Sequence, residues 1–335
     1  MNKNTIALLI VLLVLFHMYG VLYRESMVVP VPAVQIPQTP KVVELTYDQV
    51  LDSVKKEDVK KYVEKLASKE FNGRGTGTEG NAKAAAYIKS HLDYLKIPYK
   101  EQEFSVQNRK TKNIIAYISP KIPKSDSVIV IGAHFDHLGS RGDTYYPGAD
   151  DNASGVAGVM AVATALSKYK DKLNHTVLLQ FYSAEELGLI GSKYYTNNPL
   201  FPESRPDINK HCAMINLDMI GYLRKSYTEN ENVTSYRNYK EWIVFNYGNA
   251  VDLKSIVGDL SRKYPFAKNI SGYRPGGSDH APFYNKGIPV VFLHTGSHPH
   301  YHKPSDTPDK LNYDGLTSVA KLALEILIKV DKDMQ

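Results

Sequence analysis

The run Gly148-Ala-Asp-Asp-Asn-Ala-Ser-Gly155 sets two aspartates side by side just before an apolar stretch. Two chemistries suit that placement. Asp, Asn and Ser at a helix start accept hydrogen bonds from free backbone amides and sit at the favourable end of the helix dipole; alternatively, one carboxylate faces a cation. Further reactive side chains recur at comparable places. His134 and Asp136 close "VIVIGAHFD", Glu185 and Glu186 close "TVLLQFYSAEE", Asp218 closes "AMINLD", and His302 follows "PVVFLHTG" by a short loop. Any one of these alone is most simply a satisfied structural residue, but coincidence at four strand ends is a different matter. Carboxylates gathered in one place repel by kilocalories at low effective dielectric unless protons or cations neutralise them. A pair of divalent ions does that, and Asp150 can then bridge them.

Imidazole and carboxylate ligands suit Zn²⁺ and leave positions for water and substrate, whereas Ca²⁺ and Mg²⁺ favour oxygen cages. Mn²⁺ or Co²⁺ could substitute. The single cysteine, Cys212, excludes an intramolecular disulfide framework and a thiolate cluster. Adjacent glutamates at a strand end can face different ways, so one can act as a general base while the other ligates. Asp136 is most economically the residue that orients His134.

Such residues need strands that end together. "TKNIIAYIS", "SVIVIGAHFDH", "HTVLLQFYSAEE", "CAMINLDMIG" and "IPVVFLHTG" read as strands, the second a near-continuous apolar run typical of sheets covered on both faces. "TYDQVLDSVKKEDVKKYVEKLAS" and "GNAKAAAYIKSHLDYLKI" show helical periodicity, as do "GVAGVMAVATALSKY", "LGLIGSKYYTNN" and the closing "YDGLTSVAKLALEILIKVDKD". The alternation predicts an α/β fold: a mixed, largely parallel central sheet with helices on both faces. In such sheets ligands bind beyond the carboxyl ends of the strands, where the reactive residues fall.

With 335 residues, 43% of them hydrophobic, the chain can bury a large core. A net charge of +6, from 41 basic and 35 acidic residues without a sustained basic run, suggests no nucleic-acid partner. Lys3 followed by an apolar run to Tyr23 predicts a signal peptide or uncleaved N-terminal membrane anchor over residues 1–23, hence export or a membrane tether. Residues 24–44, with Pro30, Pro32, Pro37 and Pro40, read as an extended linker, leaving 45–335 as the folded domain. The sequon at Asn152 is too enclosed for modification if its loop carries metal.

The motifs "GAHFDHLG", "PGADDNASG", "SAEELGLIGS", "NLDMIG" and "HYHKPSDT", with "FNGRGTGTEGNAKAAAYI" and "GGSDHAPF", resemble the zinc-dependent aminopeptidases of peptidase family M28, from about Lys55 to the C-terminus. The resemblance implies the phosphorylase/hydrolase-like fold of zinc exopeptidases in its short form without a protease-associated domain. It implies two zinc ions per chain: His134 and Asp218 on one, Glu186 and His302 on the other, Asp150 bridging, and Glu185 as general base. Asp151 matches the residue that follows the bridging aspartate and shares a cis peptide. Spacing does not choose among His294, His298, His300 and His302; the match to H-x-x-x-D-T through Asp306 and Thr307 favours His302. Tyr301 matches a tyrosine that donates to the tetrahedral intermediate, or packs at the surface. Asp279 and His280 are expected in a loop at the site wall, in a structural or a catalytic role, and residues 222–242 at a rim of the cleft. The implied activity is removal of N-terminal residues from peptides with a free N-terminus. An M20-type dipeptidase or carboxypeptidase, a single-zinc glutaminyl cyclase and a metal-free tethered ectodomain are the alternatives.

Overall fold

The computed structural model describes residues 45–200, 207–223, 243–244, 253–264 and 277–333. Residues 1–44, with both predicted N-terminal segments, and residues 224–242 of the predicted rim lie outside this set. Chain contacts separate Met1–Val43 from Glu44–Gln335, and the latter unit is described below. Among the described residues no helix is long and apolar enough to cross a membrane.

The strands are β1 (Tyr99–Val106), β2 (Arg109–Ile118), β3 (Val128–His134), the short hairpin β4 (Ser140–Arg141) and β5 (Thr144–Tyr145), β6 (Thr176–Tyr182), β7 (His211–Leu217), β8 (Ile243–Val244) and β9 (Val290–Leu293). Seven of them form one sheet in the order β1-β2-β6-β3-β7-β9-β8. The centre, β6-β3-β7-β9, is parallel, and the β1-β2, β2-β6 and β9-β8 pairings are antiparallel. This is the mixed, largely parallel sheet expected. β3 and β6 are buried along their whole length because both faces are covered.

Side-chain alternation divides the interior in two. Ile129, Ile131, Val177 and Leu179 join a large core with the helices α1 (Tyr47–Asp52), α2 (Lys56–Leu66), α3 (Glu79–Tyr94), α4 (Gly155–Ser167) and the closing helix (Tyr313–Asp333). Val128, Val130 and Leu178 face the other way, against Tyr195 and Phe283 of two shorter helices, α5 (Ile190–Asn197) and α7 (His280–Tyr284). Between these in the chain lies α6 (Leu253–Lys263), and the closing helix is α8. Helix α4 is apolar all round and lies between β3 and α8, which holds the aspartate turn preceding it against the sheet.

Two local expectations change. The periodic run 46–68 is two helices: Thr46 and Gln49 cap the first reciprocally, and Ser53 Oγ donates to Val50 O at 2.7 Å, closing it before Lys55 turns extended. Strand β1 escapes the sequence pattern because its charged edge residues break the alternation. It pairs with β2 through a two-residue turn, Gln107-Asn108, in which both residues have positive φ (48° and 61°).

Candidate active site and metal centre

The parallel strands finish at a common crevice. β3 ends at His134, in register with Tyr182 at the end of β6, and Asp218 follows the last residue of β7. His134 Nε2 lies 3.4 Å from Asp218 Oδ1, 3.6 Å from Asp151 Oδ1 and 4.0 Å from Glu185 Oε2. Its Nδ1 is 3.2 Å from the Asp136 carbonyl oxygen, the contact that turns Nε2 toward the carboxylates. Asp136 is fully buried, and its carboxylate accepts from Thr76 Oγ1 at 2.8 Å and from the Glu185 amide at 3.1 Å. It therefore places the Glu185 backbone as well as His134.

A second group lies alongside. His302 Nε2 is 3.1 Å from Asp151 Oδ2 and 3.3 Å from Glu186 Oε2. His137 Nδ1 is 2.8 Å from Glu186 Oε1 and 3.7 Å from Asp151 Oδ2. Two sets thus have ligand atoms within 4.8 Å of one another: His134, Glu185 and Asp218, and His137, Asp151 and Glu186. Ligands about 2.0–2.1 Å from a tetrahedral Zn²⁺ stand about 3.3 Å apart. The separations of His134 from Asp218 and Asp151, and of His302 from Asp151 and Glu186, fall on that value within a few tenths of an ångström. The nitrogen and oxygen donors therefore fit zinc.

The expectation that Asp150 lies between the two groups is not met. Its Oδ1 accepts from the Gly221 amide at 2.6 Å, and its Oδ2 makes a close contact, 3.1 Å, with His298 Nε2. Asp151 occupies the shared position instead. The reason lies in the turn: Ala149–Ser154 is kinked at Asp151 (φ -102°, ψ 94°) and Asn152 (φ -128°, ψ 43°), which are not helical, and Asp306 accepts from the amides of Asp150 and Asp151 at 3.0–3.1 Å. That grip points consecutive carboxylates in different directions. Asp151 does take part in a cis peptide, as the resemblance implied, and the bond is the one to Asn152. Gly148 opens the turn in the left-handed region (φ 57°), where a Cβ would stand 2.2 Å from the Asp151 carbonyl oxygen.

The histidine-rich loop is now resolved into separate duties. His302 faces the second group; His294 Nδ1 bonds the Asp218 carbonyl oxygen at 2.7 Å; His298 backs Asp150; His300 Nδ1 bonds Ser305 Oγ at 3.0 Å. Tyr301 is 40% exposed and stacks on His302, with ring centroids 3.8 Å apart. Asp279 and His280 are buried behind the crevice, His280 stacked on Phe292. A cavity of about 190 Å³ opens over the carboxylates, lined by Asp151, Glu185, Asp218, Met219, Phe292 and Tyr301 among others.

Two residues of the site were not singled out from sequence. His137 lies next to the His-x-Asp pair and is indistinguishable there from a structural histidine. Arg74, in "FNGRGTGTE", is fully buried. Its guanidinium donates to the carbonyls of Phe135, Leu66, Pro147 and Gly148 at 2.7–3.0 Å, and to that of Asp151 at 3.5 Å. The glycines flanking Arg74 in the sequence hinted at a tight turn but not at a buried cation.

Protonation follows from crowding. Burial drives the Glu185 carboxyl well above its ordinary range; His134 opposes this, and Asp218, Asp279 and Asp136 add to it. Burial acts likewise on Glu186, but hydrogen bonds with His137 and His302 outweigh it and hold this carboxyl well below its ordinary range. The same bonds, to Asp151 and Glu186, lift His302 to about 10. Desolvation lowers Arg74 to about 10 against the pull of the surrounding carboxylates.

A largely parallel sheet with imidazoles and carboxylates converging beyond its strand ends defines an α/β fold with a candidate metal centre at the ligand-binding side of the sheet. The model for "Peptidase family M28" matches residues 113–327, and the chain belongs to that family. It is 31% identical over 244 residues to "Leupeptin-inactivating enzyme 1" of Streptomyces exfoliatus, covering 72% of this chain and 49% of that protein's length. It is 29% identical over 278 residues to a "Probable leucine aminopeptidase" of Arthroderma otae, covering 78% of this chain and 69% of that protein. Among solved structures, BSAP, a zinc aminopeptidase from Bacillus subtilis, superposes with a TM-score of 0.67 at 16% identity, over 84% of this chain and 98% of that one.

Proposed function

We propose that this chain is an aminopeptidase that uses two zinc ions to hydrolyse the first peptide bond of peptides with a free N-terminus. The observation that carries this is the placement of Asp151, whose two carboxylate oxygens face His134 with Asp218 on one side and His302 with Glu186 on the other. Those five residues would hold the ions. When bound, the ions lower the pKa of water toward neutrality and polarise the scissile carbonyl.

Glu185 lies further from His134 than Asp218 and Asp151 do, and faces the cavity. It is therefore the general base, taking the proton of the attacking water and passing it to the leaving amine. Asp136 positions it through its amide. Tyr301 lines the same cavity and donates its hydroxyl proton in a hydrogen bond to the oxyanion developing at the substrate carbonyl. Burial, with Asp151 and the neighbouring carboxylates, holds its pKa well above the ordinary value, so the proton is retained. The cluster of carboxylates attracts the substrate's α-ammonium, which an acylated peptide lacks. The apolar N-terminal segment makes the enzyme an exported one, released after cleavage or tethered to the membrane.

The test is elemental analysis of the purified chain, paired with hydrolysis of leucine amide and of N-acetyl-leucine amide. About two zinc ions per chain and cleavage of the free-amine substrate alone is the expected outcome. One ion with cyclisation of an N-terminal glutamine would replace the proposal with a cyclase. No metal and no turnover would leave a binding ectodomain.

A further inference from the structure

His137 has no part in the scheme above, yet its side chain is completely buried against Glu186. Its seat is built from three directions. The His137 amide bonds the Arg74 carbonyl at 3.3 Å, and His137 forms a parallel bridge with Gly75. Gly148 closes the third side: a Cβ there would lie 2.5 Å from the imidazole Cδ2. The ring therefore has little room to turn. Its Nδ1 meets Glu186 Oε1 at 2.8 Å, while its Nε2 is buried without a hydrogen-bond partner among the described residues. The tautomer with the proton on Nδ1 leaves no buried N–H unpaired, so Nδ1 donates and Glu186 accepts.

Glu186 is thus held by one oxygen from behind and presents the other, Oε2, to His302. The cavity is lined by His302, Asp151, Glu185 and Asp218, and His137 is not among its walls. Glu185, its neighbour in sequence, makes no such bond among the described residues: its amide is fixed by Asp136, while its carboxylate extends toward His134 and the cavity. The division of labour between the two adjacent glutamates follows from which one a histidine seizes.

We propose that His137 is a positioning residue for the second ion: its Nδ1–H bond to Glu186 Oε1 aims Oε2 into the ligand set shared with His302 and Asp151. This rests on the two-ion reading above. A metal-ligating carboxylate fixed by a hydrogen bond from behind needs no reorientation when the ion arrives, and loss of such a support typically costs about 10–100-fold in metal affinity.

The experiment is a Zn²⁺ titration of the full metal-free chain against a chromophoric chelator, resolving the two binding steps, for the native protein, His137→Leu, His137→Asn and His137→Gln. Asparagine can place an amide N–H near the position of Nδ1; glutamine carries its amide one methylene too far. The expected result is that Leu and Gln weaken one step about 10–100-fold and leave the other unchanged, while Asn restores most of the loss. Thermal melts of the metal-free variants check that each is folded, and if Leu is not, Asn against Gln carries the comparison. Unchanged affinity in Leu and Gln would overturn the proposal. Equal loss of the step in all three variants would overturn it too, making His137 itself a ligand. A single binding step in the native chain would instead remove the two-ion reading beneath it.

Discussion

Asparagine substituted separately at Asp150 and Asp151 tests the geometry of the centre most sharply. Asp151 Oδ1 and Oδ2 point to different imidazoles, at 3.6 Å from His134 and 3.1 Å from His302. Asp151→Asn keeps the shape and removes the charge that would lie between two cations. At an effective dielectric near 20, even one unit charge about 4 Å from another contributes about 4 kcal/mol, so removing the carboxylate charge beside a doubly charged ion should cost at least roughly a thousandfold in affinity for each ion. Asp150→Asn leaves its one strong bond available, since an amide oxygen can accept from Gly221 as the carboxylate does. It alters only the contact with His298, so its cost is about 1–3 kcal/mol of folding stability, with zinc affinity within about tenfold of native. Zinc titration and thermal melts of both variants read the two effects separately. Loss of both ions in Asp150→Asn, with retention in Asp151→Asn, would refute the assignment of Asp151 as the shared ligand.

Glu185→Gln is expected to keep both ions and lose about 10²–10⁴ in kcat; loss of an ion in that variant would show that the two glutamates are assigned the wrong way round. The metal-free chain should become less stable as the pH rises. His302 is lifted from an ordinary 6.5 to about 10 by its bonds to Asp151 and Glu186, so its stabilisation is complete below about pH 6.5 and lost as the pH passes through 10. Zinc must displace that proton, so affinity should tighten over the same window. Calorimetric melts and zinc titrations at about pH 6 and about pH 10 check both, and pH-independent values would contradict the pairing.

The central strands and the closing helix were legible because burial on both faces writes long apolar runs and a 3.6-residue stripe into the chain. The strand-end residues His134, Glu185, Glu186 and Asp218 were legible because the parallel topology carries them to one side. What stayed hidden depends on contacts remote in sequence. The choice between Asp150 and Asp151 is made by Asp306, 155–156 residues away, whose carboxylate accepts from both their amides. His302 is separated from three nearby histidines only by the path of a loop, and strand β1 by pairing that its charged residues conceal. Residue types pointed to a metal site, and the turn geometry sets which of two neighbouring carboxylates faces His134 and His302.

Arg74 was hidden for the same reason, and its charge offsets the mutual repulsion of the carboxylates gathered around it. Asp151, Glu186, Asp136 and Asp306 all act on this buried guanidinium electrostatically. All five of its N–H donors meet backbone carbonyls, tying the His134–His137 segment to the aspartate turn from beneath. Arg74→Lys keeps the charge and gives up the fork, since an ammonium offers only three donors. Two carbonyls then lose charge-assisted hydrogen bonds of about 1.5 kcal/mol each, a loss of about 3 kcal/mol. Unfolding entropy near 2.1 cal/mol/K per residue over the unit Glu44–Gln335 is about 0.6 kcal/mol/K, so the metal-free melting temperature should fall by roughly 5 °C. An unchanged melting temperature in the lysine variant would mean that charge alone, without the planar array of donors, assembles the floor of the site.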